Sequence, residues 1–204
     1  MSVRQISLFF ALLTVTTNVV VVTIVVLAIA GRWSPTAARH LGRIEAVLGE
    51  PAIWLAGLVA LVATLGSLYY SEVAHFTPCL LCWYQRIAMY PLAVILPIAA
   101  FRRDRGIWRY VVPVAAIGAA ISIYHYQLQR FPDQASVSCS VEAPCALTWV
   151  WQLGYISIPF MALSAFALIV TLLLVGRTAP AWEPDGSGRG SHDDLDTGPA
   201  QGRG

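Results

Sequence analysis

Five long apolar stretches dominate the chain, at residues 6–30, 51–70, 84–101, 107–127 and 155–176, with short polar or mixed segments between them. A helix of about 20 residues, rising 1.5 Å per residue, crosses the ~30 Å hydrocarbon layer of a bilayer. Each stretch therefore predicts a membrane-spanning helix. Between the first and second, residues 32–50 (RWSPTAARHLGRIEAVLGE) set Leu41, Ile44, Val47 and Leu48 at helical spacing, with Arg39, Arg43 and Glu45 between them. That pattern predicts a short helix lying on the membrane surface and joining spans one and two. After Arg177 the chain becomes rich in Gly, Pro, Ser and Asp, too polar to bury a core, and reads as a disordered tail. No internal repeat is visible.

The first stretch could be a cleaved signal peptide or a retained helix. Its apolar part is much longer than the ~7–15-residue core of a signal peptide, and it carries no charged leader beyond Arg4. It is read as retained.

Composition supports the membrane reading. The 204 residues are 57% hydrophobic and 12% charged, about half the charged fraction of a soluble domain, ~25%. The net charge is only +2 and all 13 basic residues are Arg. They fall in short clusters rather than a continuous stripe, which excludes a nucleic-acid binder. Arg32, Arg39 and Arg43 share one linker, Arg102, Arg103, Arg105 and Arg109 another, and Arg177, Arg189 and Arg203 follow the last span. Placing these three regions in the cytoplasm leaves only Arg4, Arg86 and Arg130 on the other face, as the positive-inside rule expects. The N-terminus is then outside. Trp54, Trp83, Trp108 and Trp149 fall near span ends, where amphipathic rings settle at headgroup level.

Candidate chemistry lies in four cysteines, Cys79 and Cys82 in TPCLLCWYQR and Cys139 and Cys145 in SCSVEAPC. The topology puts both couples on the outer, oxidising face, where disulfides form and persist. The short spacings favour pairing within each couple. Thr77 suits an N-cap and Pro78 a first helical position, which would set Cys79 in the first turn and Cys82 just beyond it. The positive helix end, together with Arg86 one turn beyond Cys82, favours thiolate over thiol. A CxxC at a helix start with a cation one turn along is how a redox dithiol at a membrane surface would be built.

Other readings of the same residues stay open. Four cysteines can bind zinc, although CxxxxxC is not a usual zinc spacing and two spans separate the couples. Two inert disulfides could staple the outer loops of a transporter or receptor, although a CxxC loop is short and exchanges readily. Arg86 could snorkel to the headgroups or stabilise a thiolate and a reduced anionic acceptor. His125, in ISIYHYQLQRF, could be an interfacial histidine or a proton donor for a ligand near Cys82. Glu72 and His75 could relay protons or be merely solvated. Tyr84, Tyr124 and Tyr126 read as belt residues like Trp83.

The stretch from about Tyr70 to Val175 resembles the DsbB/BdbC disulfide-bond-formation family of membrane thiol oxidases. The resemblance is carried by PCxxC followed by an aromatic and Arg86, a short basic turn, YHYQLQ, the CSVEAPC loop, and a last span opening with GYISIPFMAL. CxxC precedes the loop pair, whereas proteins similar to vitamin K epoxide reductase place the loop cysteines first. The resemblance implies an all-α polytopic membrane bundle with a four-helix core over residues 51–176; the extra N-terminal span and linker over residues 1–50 depart from it, and residues 177–204 read as a disordered cytoplasmic tail. It implies that Cys139 and Cys145 exchange with a DsbA-like thioredoxin-fold partner and that Cys79 and Cys82 pass the electrons to a membrane quinone, menaquinone or ubiquinone, bound beside Arg86 and His125. The implied location is the bacterial cytoplasmic membrane, with the cysteines on the extracytoplasmic face. Gln85 stands where some relatives carry an acidic residue, and family members typically have four spans with both termini inside.

Overall fold

The computed structural model describes residues 2–49, 51–134, 139 and 143–178. Its helices are α1 (Val3–Ala30), α2 (Pro35–Leu48), α3 (Ala52–Leu68), α4 (Leu80–Phe101), α5 (Trp108–Arg130) and α6 (Ile158–Thr178). A π-helical turn, Tyr69–Val73, prolongs α3. Five of these elements are long and apolar enough to cross a membrane, and α2 is the surface helix the linker pattern predicts. The protein is a polytopic membrane helix bundle. Of the tail read as disordered, residues 177–204, Arg177 and Thr178 close α6, and residues 179–204 lie outside the described residues.

Helices α3, α4, α5 and α6 form a ring in which each packs on the next and α6 closes on α3. Lipid tails are as apolar as leucine, so close packing and small residues must hold such a bundle together. Its core accordingly mixes Ala56, Ala60, Ala88 and Ala115 with Leu92, Leu96, Phe166 and Ile169. At Gly118 the approach is closest, because a Cβ there would collide with the Phe166 ring. The large side chains Leu58, Ile87, Ile117 and Ile123 point outward, toward what would be lipid. Pro91 and Pro97 inside α4 and Pro113 inside α5 are tolerated as in other membrane helices, where neighbours and local adjustments satisfy the freed carbonyls.

The fifth apolar helix, α1, lies outside the ring against α6. From its C-terminal end α2 returns toward the end of α6, where the Thr178 hydroxyl donates to the Glu45 carboxylate at 3.0 Å. The arginine-rich turns meet at this end, with the Arg177 guanidinium 4.7 Å from the centre of the Trp108 ring. The cysteines occupy the opposite end.

Two helix starts differ from the sequence expectation. The last helix begins at Ile158 because residues 152–156 are held in a turn, in which Gln152 and Ile156 bridge and Leu153 and Gly154 take positive φ of 51° and 78°. α4 begins at Leu80, with Cys79 itself as N-cap.

Candidate redox site

An N-cap residue must accept from an N–H two or three positions on. The sulfur of Cys79 does so, 3.4 Å from the backbone N of Cys82. Thr77 and Pro78, expected to be the cap and first helical residue, therefore lie ahead of the helix, and Cys82 falls in its first turn. Both sulfurs sit in the positive field of the helix start. They are not bonded to each other, yet stand only 2.8 Å apart and share a hydrogen bond. The hydrogen bond from the Cys82 thiol holds the Cys79 thiol down to about 4, with His125 adding to the effect against the opposing cost of burial.

His125, 2% exposed, supplies the second donor. Its Nδ1 meets the side-chain nitrogen of Gln85 at 3.3 Å. An amide nitrogen can only donate, so Nδ1 accepts and the ring proton belongs to Nε2. That Nε2–H faces the backbone oxygen of Cys145 at 3.1 Å and the Cys79 sulfur at 3.6 Å. One buried imidazole therefore ties the CxxC to the loop before α6. In that loop Cys139 and Cys145 form a disulfide, and Cys79, Cys82, Cys139 and Cys145 all belong to one packed cluster with Leu81 and Leu128.

Cys82 also has a second aspect. With Gln85 and Arg86 it lines a cavity of about 400 Å³ whose walls come from α1, α3, α4 and α6. The Arg86 Nε donates to the Ser67 hydroxyl at 3.0 Å and its terminal nitrogen to the Ser67 carbonyl at 3.1 Å. Ser67 stands where α3 passes into the π turn, a type of irregularity that often marks functional sites. The guanidinium also lies 5.2 Å from the centre of the Trp83 ring. Among the described residues it pairs with no carboxylate, so a fixed positive charge is left in a largely apolar wall. Tyr70, Phe76 and Trp149 stack in sequence, at 5.8 Å and 4.9 Å, along the cysteine end of this cavity.

The predicted site residues thus divide. Cys79, Cys82, Cys139, Cys145 and His125 meet in one cluster, and Arg86 joins Cys82 on the cavity side. His125 reaches Cys79 rather than the cavity wall. Glu72 accepts from the neighbouring Ser71 hydroxyl, and His75 takes a positive φ of 55° in the link to Cys79. Ser67, Gln85 as the setter of the imidazole tautomer, and the α1 lining residues carry no sequence signal of their own chemistry. The donor atoms of Cys79, Cys82 and His125 lie within 4.8 Å of one another. Two thiolates bound at ~2.3 Å to one tetrahedral zinc would stand roughly 3.8 Å apart, so the 2.8 Å spacing of these sulfurs suits thiol–disulfide chemistry better.

A helix-borne dithiol packed against a loop disulfide in a membrane bundle defines a membrane disulfide oxidoreductase. The chain belongs to the DsbB family: residues 49–176 match the family model for disulfide bond formation protein DsbB. It is 48% identical over 122 residues to disulfide bond formation protein C of Bacillus subtilis, covering 59% of this chain and 88% of that one. A probable disulfide formation protein of Deinococcus radiodurans is 48% identical over 134 residues, covering 61% of this chain and 87% of its own. Another from Coxiella burnetii is 40% identical over 134 residues, covering 65% and 90%. No solved structure matches. Membership in this family gives the chain a role in disulfide bond formation.

Proposed function

We propose that this chain is a protein-dithiol:quinone oxidoreductase of the bacterial cytoplasmic membrane, its cysteines facing the extracytoplasmic side. It reoxidises a DsbA-like thioredoxin-fold thiol oxidase and hands the electrons to menaquinone or ubiquinone. One observation carries this reading: the two sulfurs of the CxxC have different outlooks. Cys79 faces His125 and packs with the loop cysteines, while Cys82 borders a largely apolar cavity beside Arg86, which among the described residues pairs with no carboxylate.

Burial supports an order of exchange. Cys145 is 3% exposed and packs with Cys79, whereas Cys139 is only partly buried. A partner thiolate attacks Cys139, releasing Cys145 as a thiolate, and the partner's second thiol then resolves the mixed disulfide. The partner leaves oxidised and the loop pair is left reduced. The Cys145 thiolate attacks the Cys79–Cys82 disulfide, Cys139 resolves in turn, and the loop disulfide is restored.

A quinone in the cavity supplies an acceptor for two electrons and two protons. The chain's residues must then deliver them. The 2.8 Å contact lets the remaining thiol proton pass from Cys82 to Cys79, leaving the thiolate on the sulfur that borders the cavity. Arg86 offsets negative charge there, and closure of the Cys79–Cys82 bond returns the dithiol to its oxidised form. Oxidation of this thiol–thiolate pair gives up two electrons and its one proton, and the second proton reaches the acceptor from solvent.

The test is anaerobic reduction of added quinone by the purified protein supplied with a reduced thioredoxin-fold partner. Wild type turns over, and Cys82→Ser loses at least about 10³-fold, the scale expected when a covalent participant is removed. Turnover unaffected in Cys82→Ser would reject the reading. If both cysteine pairs also resisted reduction, a transporter or receptor with structural disulfides would become the better account.

A further inference from the structure

The first helix lies outside the residues matched by the family model, and it reaches the cavity beside Cys82. Phe10, Leu13, Thr14 and Thr17 of α1 line that space along with Cys82 and Arg86. The contact is built rather than casual. Only Ser7, Ala11, Thr14 and Ile24 of α1 are buried, and Ser7, Ala11, Thr14 and Asn18 recur at steps of four, three and four residues, which lie along one helical face.

Each end of that face is fastened. The Tyr70 hydroxyl donates to the Ser7 hydroxyl at 3.2 Å. Asn18 and Ser164 exchange hydrogen bonds, the amide donating at 3.0 Å and the serine hydroxyl returning one at 3.2 Å. Between them, Gly66 admits the Phe10 ring so closely that a Cβ would stand 2.8 Å from it. Small residues and interhelical polar pairs are the means by which helices associate specifically in lipid. A span attached only incidentally would not need them.

We propose that α1 is a wall of the quinone cavity and that Phe10, Thr14 and Thr17 help decide which quinone is accepted. The proposal rests on the quinone reading above and extends it to residues that reading does not use. A volume of about 400 Å³ lies at the low end of small-molecule sites, ~300–1,000 Å³. It accommodates a quinone headgroup and the start of its tail, with the rest of the tail passing to lipid. Without α1, Cys82 and Arg86 would look out on lipid on that side. With it, the acceptor is held against a shaped surface that includes two threonine hydroxyls.

The experiment uses the full chain, a short-tailed benzoquinone and a short-tailed naphthoquinone, and two readouts: quinone reduction, and disulfide exchange with the reduced partner in the absence of quinone. Thr17→Trp should raise KM for at least one quinone about tenfold and change the ratio between the two, while exchange with the partner stays within about twofold. Val19→Trp, on the exposed face of α1, should match wild type in both. A photoreactive azidoquinone should label α1 of the unaltered protein, a result that does not depend on any variant folding. Unchanged KM and quinone preference in Thr17→Trp with normal exchange, or label confined to α3, α4 and α6, would overturn the proposal and leave the quinone reading standing. A wild-type protein that exchanges with its partner but reduces neither quinone would remove that reading and the role of α1 with it.

Discussion

Cys79 and Cys82 sit at a helix start, hydrogen-bonded to each other and to a buried imidazole, whereas Cys139 and Cys145 sit in the segment between α5 and α6 and are bonded to each other. The helix pair is controlled by its surroundings: the field of the α4 start, the Nε2–H of His125 and the nearby charge of Arg86 all act on its sulfurs. The loop pair is distinguished by position, with Cys145 buried in the same cluster as Cys79 and Cys139 only partly buried. On the proposed reading, the contrast is how one chain would serve a protein reductant and a lipid-soluble oxidant. Exchange with a protein needs an accessible disulfide, while delivery to a lipid-soluble acceptor needs a dithiol whose thiolate can be moved toward a dry cavity.

The sharpest way to break this division is to remove one loop sulfur. Cys139→Ser should lose partner-driven turnover by about 10³-fold while retaining quinone reduction from a small dithiol that attacks the CxxC directly. Cys145→Ser leaves Cys139 as a free thiol, which should capture a partner whose attacking cysteine is supplied as a mixed disulfide with a small thiol, releasing that small thiol and leaving a partner adduct on Cys139. Thiol-specific gels and mass spectrometry separate these outcomes, and an adduct on Cys145 in the reciprocal variant would invert the assigned order.

A smaller effect is expected on the cavity side. Charge-assisted hydrogen bonds are worth about 1.5–3 kcal/mol, so Arg86→Ala should weaken quinone use by roughly 10- to 100-fold and leave exchange with the partner nearly unchanged. Steady-state kinetics with quinone varied would show it, and equal quinone turnover in the variant would remove Arg86 from the mechanism.

The smallest effect concerns protons. Cys79 titrates at about 4 rather than the ordinary 9.0. The thiolate therefore stabilises the reduced, folded protein fully above pH 9.0, and that stabilisation is lost as pH falls through about 4. Between these limits reduction of the CxxC takes up two electrons and about one proton, so its potential should fall by ~30 mV per pH unit instead of ~60 mV. His125→Phe should raise the thiolate midpoint by about one unit, followed by ultraviolet absorbance of the thiolate, with His125→Gln recovering part of the loss. A midpoint unmoved in both variants would deny the imidazole its role.

Much of this arrangement is legible in the sequence because it follows from composition and periodicity. Five apolar runs and an amphipathic linker emerge as helices within a few residues of their expected limits, and PCxxC with a downstream CxxxxxC identifies the chemistry. What escapes is set by contacts between helices. Thr77 looks like a cap by residue type, but a sulfur can accept the same hydrogen bond, and Cys79 takes the position. His125 lies 46 residues from Cys79 along the chain, and only the packing of α5 beside α4 reveals that they touch. The partner of Arg86 is Ser67 of α3, a residue with no motif around it. The Ser7, Ala11, Thr14 and Asn18 face of α1 is visible in retrospect as small and polar residues recurring inside an otherwise Val- and Leu-rich span, a pattern that points to a packed helix rather than a free one.

The most direct test of the central claim, that electrons pass from the loop pair to the helix pair and then to quinone, is anaerobic mixing of fully oxidised protein with one equivalent of reduced partner, quenched at intervals by alkylation and read by mass per cysteine. The account predicts transient alkylation of Cys139 and Cys145, then lasting alkylation of Cys79 and Cys82 with the loop disulfide restored, and loss of that second labelling when quinone is added. A loop pair that stays reduced while Cys79 and Cys82 remain bonded throughout would contradict it.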